Sequence, residues 1–176
     1  MAVEVQAGVY IYLGHGNEAF AHNPLHDLES LWWVGLWILL CHYHPDNLQD
    51  TAVQQHIEVV EKFGETLFDN CAYSSGPSRR RALTGLDLLR DTMPLVFPKA
   101  VQRLIFLLDV YRAKLVTHYK LYEPMAFQDR SFFTPDLYSK FSDKFEETMK
   151  VLKDDQTELW PLDHIKDQID YLNRKK

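Results

Sequence analysis

The chain has 176 residues, of which 46% are hydrophobic and 13% are aromatic. These values exclude a disordered chain and predict one globular domain, residues 1–176, with a buried core. The formal net charge of −6 argues against a general nucleic-acid binder, because such a protein needs a basic face to neutralise phosphates.

The N-terminal segment, residues 1–22, has the least regular pattern of the chain. Apolar residues alternate with tyrosines at positions 9–13, which is typical of a short strand, but an extended loop packed on helices would give the same pattern. A helix is expected to follow. Asn23 can cap this helix and Pro24 suits its first turn, whereas Asp27 offers a second capping carboxylate, so two starts remain open.

The helix from Asn23 to Cys41 is expected to form the centre of the fold. It holds three of the four tryptophans, Trp32, Trp33 and Trp37, and every residue from Leu31 onward is apolar or glycine. A helix without a polar side is predicted to be buried on all sides. The apolar stretch has 11 residues, whereas a bilayer span needs roughly 20, so no membrane span is expected.

Further helical segments are predicted after this helix. Apolar residues recur every three or four positions across residues 51–67, which indicates an amphipathic helix. A loop of small and polar residues is expected at 70–78. The basic cluster Arg79–Arg81 then opens a short segment with an apolar side of leucines, and Pro94 and Pro98 interrupt regular structure.

The longest predicted helix runs from Pro98 to Tyr122, and at ~1.5 Å per residue it would span roughly 37 Å. Thr134 and Pro135 then have the pattern of a helix cap followed by proline, and an amphipathic pattern continues to Leu152. A last helix is predicted after Pro161. The sum is an all-α fold of about five to seven helices around a buried, tryptophan-rich central helix.

The cysteines and the N-terminus bear on the cellular compartment. Cys41 and Cys71 are the two cysteines, and two make no disulfide framework, so both are expected to be free thiols in a reducing compartment. The first ten residues have neither a basic stretch nor a long apolar run, so a signal peptide is not expected. We therefore expect an intracellular protein, cytoplasmic or nuclear.

Few polar residues have the spacing of a known metal-binding, phosphate-binding or catalytic motif. His26, His42 and His44 lie near Cys41 in the sequence, but no Cys-x-x-Cys or His-Glu-x-x-His spacing occurs, so structural roles are expected instead of metal binding. No glycine-rich phosphate loop and no nucleophile turn is present. Glu29 is expected only to cap the helix and compensate its dipole.

The basic cluster Arg79–Arg81 has two interpretations. Three consecutive arginines in an acidic chain could bind phosphate or be recognised by a modifying enzyme. A solvated helix start accounts for the same residues more simply. We therefore expect these side chains to lie in water.

The start of the central helix resembles a known family. Residues 26–34 read His-Asp-Leu-Glu-Ser-Leu-Trp-Trp-Val and closely resemble a hallmark of the fungal-type protein kinase family. Residues 20–25 and 36–38 fit that pattern as well. Residues 1–5, Met-Ala-Val-Glu-Val, resemble the segment that closes the activation region of kinases. The order and separation of the two motifs agree with a kinase C-terminal lobe, and together they cover roughly residues 1–41.

The resemblance implies roles for individual residues. The central helix would be the F helix of a kinase C-terminal lobe, and its tryptophans would belong to the structural motif. Asp27 would anchor the backbone of the catalytic loop through its carboxylate. Glu4 would pair with an arginine later in the lobe, and the sequence leaves open which one. Val3 stands where most kinases have proline, a departure that the family shares.

The elements that carry phosphoryl transfer are not found in these residues. The sequence has no His-Arg-Asp motif, no Asp-Phe-Gly motif and no glycine-rich loop. ATP and Mg are therefore expected as cofactors only for a complete family member, which would phosphorylate Ser or Thr of proteins. The chain by itself is expected to be an inactive C-terminal lobe fragment without catalytic, cofactor-binding or metal-binding residues.

Two alternatives to a kinase fragment remain. The chain could be a stand-alone helical module that binds protein partners, such as a kinase regulator, or an unrelated helical binding protein whose tryptophan-rich helix is merely core. A separated lobe should expose apolar surface, with candidates among residues 3–11 and at the N-terminal end of the central helix. Protein partners are therefore expected, whereas nucleic acid and membranes are not.

Overall fold

The computed structural model describes residues 2, 12, 22–40, 42–43, 51–69, 75–85, 88–91, 93–97, 99–123, 138–139, 141–143, 145–146, 150, 153 and 160–161. Most of these residues are helical, which confirms the all-α prediction. Several predictions fall outside the described residues. They concern Glu4, the strand-like positions 9–13 apart from Tyr12, the loop at Cys71 and the helix after Pro161.

The first described helix, α1, spans Pro24–Leu40 and begins where its capping residues predict. The side-chain Oδ1 of Asn23 accepts the backbone N–H of Leu25 at 2.9 Å. In return, Nδ1 of His26 accepts the backbone N–H of Asn23 at 3.0 Å. This reciprocal pair has the logic of a capping box, with histidine in the place of Glu or Gln. It settles the open choice of helix start in favour of Asn23, so Asp27 is a residue of the first turn and not the cap.

Burial of α1 is one-sided. Trp32 and Trp33 are buried, with 0% and 2% of their surface exposed. Exposed fractions of 36–56% are found for four apolar side chains, Leu31, Val34, Trp37 and Ile38. The prediction that the helix is buried on all sides is therefore wrong. Apolar composition does not bury a residue by itself; neighbouring elements must cover it, and these four positions are not covered.

The other helices follow the predicted order. The α2 helix, Thr51–Gly64, continues directly into a π-helical turn, Glu65–Asp69. Further helical positions are described between 138 and 150, within the helix predicted from Thr134 to Leu152, and Lys153 is helical one residue beyond its predicted end. The bounds of the remaining helices are α3 Ser75–Thr84, α4 Leu88–Asp91, α5 Met93–Val96 and α6 Lys99–Tyr122.

Helix boundaries confirm one prediction and correct another. The α6 helix has 24 residues, as its long apolar stripe predicts. The α3 helix begins at Ser75, so the second half of the loop predicted at 70–78 is helical. Pro94 lies in the first turn of α5, where its missing N–H breaks no helical hydrogen bond. No helix among the described residues is both long and apolar enough to cross a membrane.

A short antiparallel pair of strands was not predicted. β1 is His42–Tyr43 and β2 is Trp160–Pro161. His42 lies opposite Pro161, and Tyr43 lies opposite Trp160. Strands of two residues are too short to show an alternating pattern in a sequence, so only the fold brings these segments together.

The core forms where α1 packs against α6. The indole Nε1 of Trp32 donates a hydrogen bond to the carbonyl oxygen of Leu108 at 2.9 Å. The hydroxyl of Tyr111 donates to the carbonyl oxygen of Leu28 at 3.0 Å. Gly35 lets the helices approach closely, because a Cβ at this position would lie 2.9 Å from Cδ2 of Leu108. These contacts hold α1 rigidly on α6 and fix the position of its first turn.

Candidate functional site

Asp27 lies at the surface of the first turn of α1. Its side chain is 69% exposed, and its Oδ1 lies 3.6 Å from Nε2 of His22. Because Asn23 caps the helix, the carboxylate of Asp27 is not needed as a hydrogen-bond acceptor for the backbone N–H groups at the helix start. An exposed carboxylate on a rigid helix can accept hydrogen bonds from a segment that packs against it. The structure therefore leaves the carboxylate of Asp27 accessible to a segment that packs against this turn.

His26 is a buried part of the helix cap. It is 1% exposed, and its ring centroid lies 4.9 Å from that of His22 and 6.1 Å from that of Tyr119. Burial lowers the pKa of His26, although nearby carboxylates, foremost Glu29, act in the opposite direction. Since Nδ1 accepts the N–H of Asn23, this nitrogen carries no proton in the capped state. His26 therefore has the structural role that the sequence predicts.

Glu29 has a role that the sequence analysis did not predict. Its side chain is fully buried, with 0% exposed. Its carboxylate accepts the indole N–H of Trp33 at 2.8 Å and the hydroxyl of Tyr119 at 2.6 Å. The prediction that Glu29 only caps the helix and compensates its dipole is therefore wrong. The spacing of Glu29 and Trp33 by four positions was a readable signal, whereas the approach of Tyr119 from α6 was not.

The arginine cluster divides between core and surface. Arg79 is 8% exposed, and its Nε donates to the carbonyl oxygen of Leu67 at 3.0 Å. Its guanidinium carbon lies 5.1 Å from the ring centroid of Trp33 and 5.4 Å from that of Phe68. Arg80 and Arg81 are exposed. The predicted solvated helix start is therefore wrong for Arg79, whose planar guanidinium stacks on aromatic rings.

A second charged cluster lies between α3, α4 and α6. Arg112 donates from Nε and Nη2 to Oδ1 of Asp109 at 3.0 Å and 2.8 Å, and from Nη1 to the carbonyl oxygen of Leu83 at 3.1 Å. Arg90 donates from Nε to Oδ2 of Asp109 at 2.8 Å. Burial acts to raise the pKa of Asp109, but hydrogen bonds from Arg112 and Arg90 hold it below its ordinary value. The sequence analysis missed this cluster: Asp109 and Arg112 are three positions apart on one helix, but Arg90 lies 19 positions from Asp109 and Leu83 lies 29 positions from Arg112.

An apolar pocket opens between α1, α6 and the helical positions 138–146. Its volume is about 320 Å³. Its rim carries the polar side chains of Ser142 and Glu146. Its walls are apolar and aromatic, formed by Leu28, Leu31, Tyr111, Tyr138, Phe141 and Phe145. The sequence analysis did not predict a pocket, because its walls come from three separate parts of the chain.

Of the residues considered as possible metal ligands, His26 and His42 are described. Cys41 and His44 lie outside the described residues. Within the described ranges, no group of three His, Cys, Asp or Glu side chains is placed to hold a metal ion. His42 instead lies with Nδ1 at 2.6 Å from the carbonyl oxygen of Ile38, and it donates a hydrogen bond there.

Comparisons with known proteins do not identify the chain. No family model, no curated protein and no solved structure matches it. Functional inference therefore depends on the motif at the start of α1 and on three features of the described surface: Asp27, the exposed apolar face of α1, and the pocket.

Proposed function

We propose that this chain is the C-terminal lobe of a fungal-type protein kinase. The observation that carries the proposal is the position of the motif at residues 26–34, at the start of a helix that is anchored in the core and keeps Asp27 exposed. In the family that the motif resembles, this aspartate anchors the backbone of the catalytic loop. An anchor must be held still and must also face outward, and Asp27 meets both conditions.

The anchoring of α1 supports this role in physical terms. Trp32 and Tyr111 join α1 to α6 through buried hydrogen bonds. In the turn before Trp32, Glu29 binds both Trp33 and Tyr119. The backbone that carries Asp27 therefore cannot shift without breaking buried contacts. Hydrogen bonds from backbone N–H groups to a carboxylate fixed in this way are charge-assisted and strong.

The proposed activity belongs to the complete kinase. Such a protein would transfer the γ-phosphoryl group of ATP, with Mg, to serine or threonine of a protein substrate. These 176 residues hold none of the glycine-rich, His-Arg-Asp or Asp-Phe-Gly motifs. We therefore expect that ATP with Mg does not raise the melting temperature of the 176-residue chain. A clear increase would contradict the proposal.

Transcript sequencing tests the proposal directly. We expect a transcript in which the codons before Met1 encode, in frame, a His-Arg-Asp motif and an Asp-Phe-Gly motif. Transcripts from which both motifs are absent would overturn the kinase assignment.

A substitution in the protein made from that transcript tests the role of Asp27. Asp27→Asn should lower kcat about 10- to 100-fold, because hydrogen bonds to a charged group are worth ~1.5–3 kcal/mol. It should leave the melting temperature unchanged, since the side chain is exposed. Asp143→Asn, at an exposed helical position, is the control and should leave both quantities unchanged. Unaltered activity of Asp27→Asn would refute the anchoring role.

The exposed face of α1 favours a second candidate function, a helical module that binds protein partners. Leu31, Val34 and Ile38 lie three and four positions apart, so they form one stripe along the helix. Apolar stripes of this kind are recognised in helix-in-groove complexes. The stripe lies beyond the first turn, so the prediction of exposed apolar residues at the N-terminal end of the helix is wrong: Leu25 and Leu28 are buried there.

Light scattering on the isolated chain tests this surface. We expect the wild-type chain to self-associate. The double variant Val34→Gln/Ile38→Gln should be monomeric and as stable as the wild type, because both side chains are exposed. Val59→Gln is the matched control, since Val59 is also exposed, at 52%, but lies on α2. A wild-type chain that is strictly monomeric would count against an interaction surface at this stripe.

A further inference from the structure

The pocket beside α1 has the size and composition of a small-molecule site. Its volume of about 320 Å³ lies within the range of ligand pockets, which is roughly 300–1,000 Å³. The walls combine aliphatic side chains from α1 with aromatic side chains from α6 and the 138–146 segment. An apolar body can therefore be surrounded on several sides.

The inner wall is formed before any ligand binds. Tyr111 and Phe141 are both 4% exposed, and their ring centroids lie 4.1 Å apart. The hydroxyl of Tyr111 donates to the carbonyl oxygen of Leu28, so the ring is fixed and turns its apolar part to the pocket. Burial raises the pKa of Tyr111, which keeps this hydroxyl protonated as a donor. A preformed wall lowers the ordering cost of binding.

The rim of the pocket is acidic. Ser142 and Glu146 are exposed and lie four positions apart on the helical segment, so they share one face. Burial raises the pKa of Tyr138, and the charge of Asp27 raises it further. Lys114 is near, with Nζ 6.0 Å from the ring centroid of Phe141, but it does not line the pocket.

We propose that this pocket binds a small amphipathic amine, with its apolar body between the aromatic walls and its ammonium group at Glu146. The aromatic rings favour the same charge, because the face of an aromatic ring attracts cations. An anionic ligand would meet the carboxylate of Glu146, and a neutral ligand would lack the ionic contact. The pocket is formed by this chain alone, so its ligand does not depend on the proposed kinase function.

Three probes with one indole body and different charges test the charge preference. Tryptamine is the cation, tryptophol the neutral analogue and indolepropionate the anion, and each is titrated into the 176-residue chain by NMR. We expect tryptamine to bind about threefold more tightly than tryptophol, as for an exposed ion pair, and indolepropionate to bind most weakly. Equal affinities for tryptamine and tryptophol, or no binding of either probe, would overturn the proposal.

Substitution of Glu146 tests whether its carboxylate causes the preference for the amine over the neutral probe. Glu146→Gln should remove the advantage of tryptamine over tryptophol and leave tryptophol binding unchanged. Asp143→Asn is the matched control, because this exposed acidic residue lies on the same segment and does not line the pocket. A preference for the amine that survives Glu146→Gln would refute the role of Glu146.

Filling the pocket tests its location. Leu31→Trp and Ser142→Trp enlarge exposed side chains that line the pocket, so each should weaken all binding at least about tenfold, as expected when buried ligand contacts are lost. Val59→Trp is the control, since Val59 is an exposed residue of α2 outside the lining. Circular dichroism identifies the folded variants. Unchanged affinity in a folded pocket variant would place the ligand elsewhere.

Discussion

Asp27 and Glu29 are two carboxylates of the same motif with opposite environments. The side chain of Asp27 is 69% exposed, whereas Glu29 is 0% exposed. Positions two apart on a helix point about 200° apart, so one faces outward when the other faces the core. At the residue scale, one carboxylate of the motif is therefore exposed to solvent while the other belongs to the internal structure.

Glu29→Gln is expected to destabilise the chain. A glutamine amide offers one acceptor oxygen, so one of the two donors, Trp33 Nε1 or the Tyr119 hydroxyl, would face an N–H group. Loss of a hydrogen bond to a buried charge costs ~1.5–3 kcal/mol. Urea denaturation should show a decrease of about 2 kcal/mol in the free energy of unfolding, with Asp27→Asn nearly neutral as the exposed control. Equal losses in both variants would contradict the buried network.

The stability of the chain should depend on the protonation of His26. Burial lowers the pKa of this residue in the folded state, whereas an unfolded histidine titrates near 6.5. Its contribution to stability is therefore complete above pH 6.5 and is lost as the pH falls from there toward the lowered pKa. Protonation also removes the Nδ1 acceptor of the helix cap.

Thermal melts between pH 5 and pH 8 measure this dependence. His26→Gln should flatten the profile, because glutamine can still accept the N–H of Asn23 and does not titrate. His22→Gln, at the neighbouring histidine, should leave the slope in place, since its partner Asp27 is exposed. A slope that survives His26→Gln would assign it to another group.

At the scale of elements, α1 and α6 pack closely against each other and form the core of the described fold. Two side-chain hydrogen bonds join the helices. Trp32 donates to the backbone carbonyl group of Leu108, and Tyr111 donates to that of Leu28. Gly35 lies in the middle of this interface. A glycine inside a helix normally costs about 1 kcal/mol relative to alanine, so its presence here is explained by the close approach of the two helices.

Gly35→Ala should therefore destabilise the chain, although alanine favours helices. The added Cβ would lie 2.9 Å from Cδ2 of the buried Leu108, and overpacking of a core costs ~1–3 kcal/mol. The gain of about 1 kcal/mol in helix propensity offsets part of this cost. We expect a net loss of about 1 kcal/mol by urea denaturation. Gly85→Ala, where the nearest atom lies 4.0 Å away, should show no loss; a similar loss there would argue against overpacking.

At the scale of the whole molecule, the cluster of Asp109, Arg90 and Arg112 joins α3, α4 and α6. Arg112 also binds the carbonyl oxygen of Leu83, near the end of α3. Asp109 and Arg112 are both less than a tenth exposed, at 7% and 8%. A buried ion pair is costly to break, because removal of one partner leaves a charge without compensation.

Arg112→Met should thus lower the free energy of unfolding by about 3 kcal/mol, within the range for a broken buried pair. Arg90→Met is the matched control, since the Arg90 side chain is 64% exposed and solvent weakens its ion pair, so it should cost much less. Urea denaturation of both variants gives the comparison. Similar decreases in the free energy of unfolding would mean that the buried ion pair stabilises the chain no more than the exposed one.

The kinase assignment remains a prediction at this scale. Its motif could be read from residues 26–34 alone, because a family hallmark is a property of contiguous sequence. Glu4, which the resemblance pairs with an arginine, lies outside the described residues. The transcript and the Asp27→Asn variant are therefore the measurements that decide it.

The sequence by itself determined α1 and α6 and limited the cap of α1 to two candidates, Asn23 and Asp27; the structure decided for Asn23. Capping chemistry and helical periodicity act between residues at most a few positions apart, so they are written locally in the chain. Only the tertiary structure decided that Glu29 and Arg79 are buried, that the stripe at Leu31 and Val34 is exposed, and that a pocket forms. These properties depend on partners such as Tyr119, which lies 90 positions from Glu29, and no local pattern records which distant surface will cover a residue.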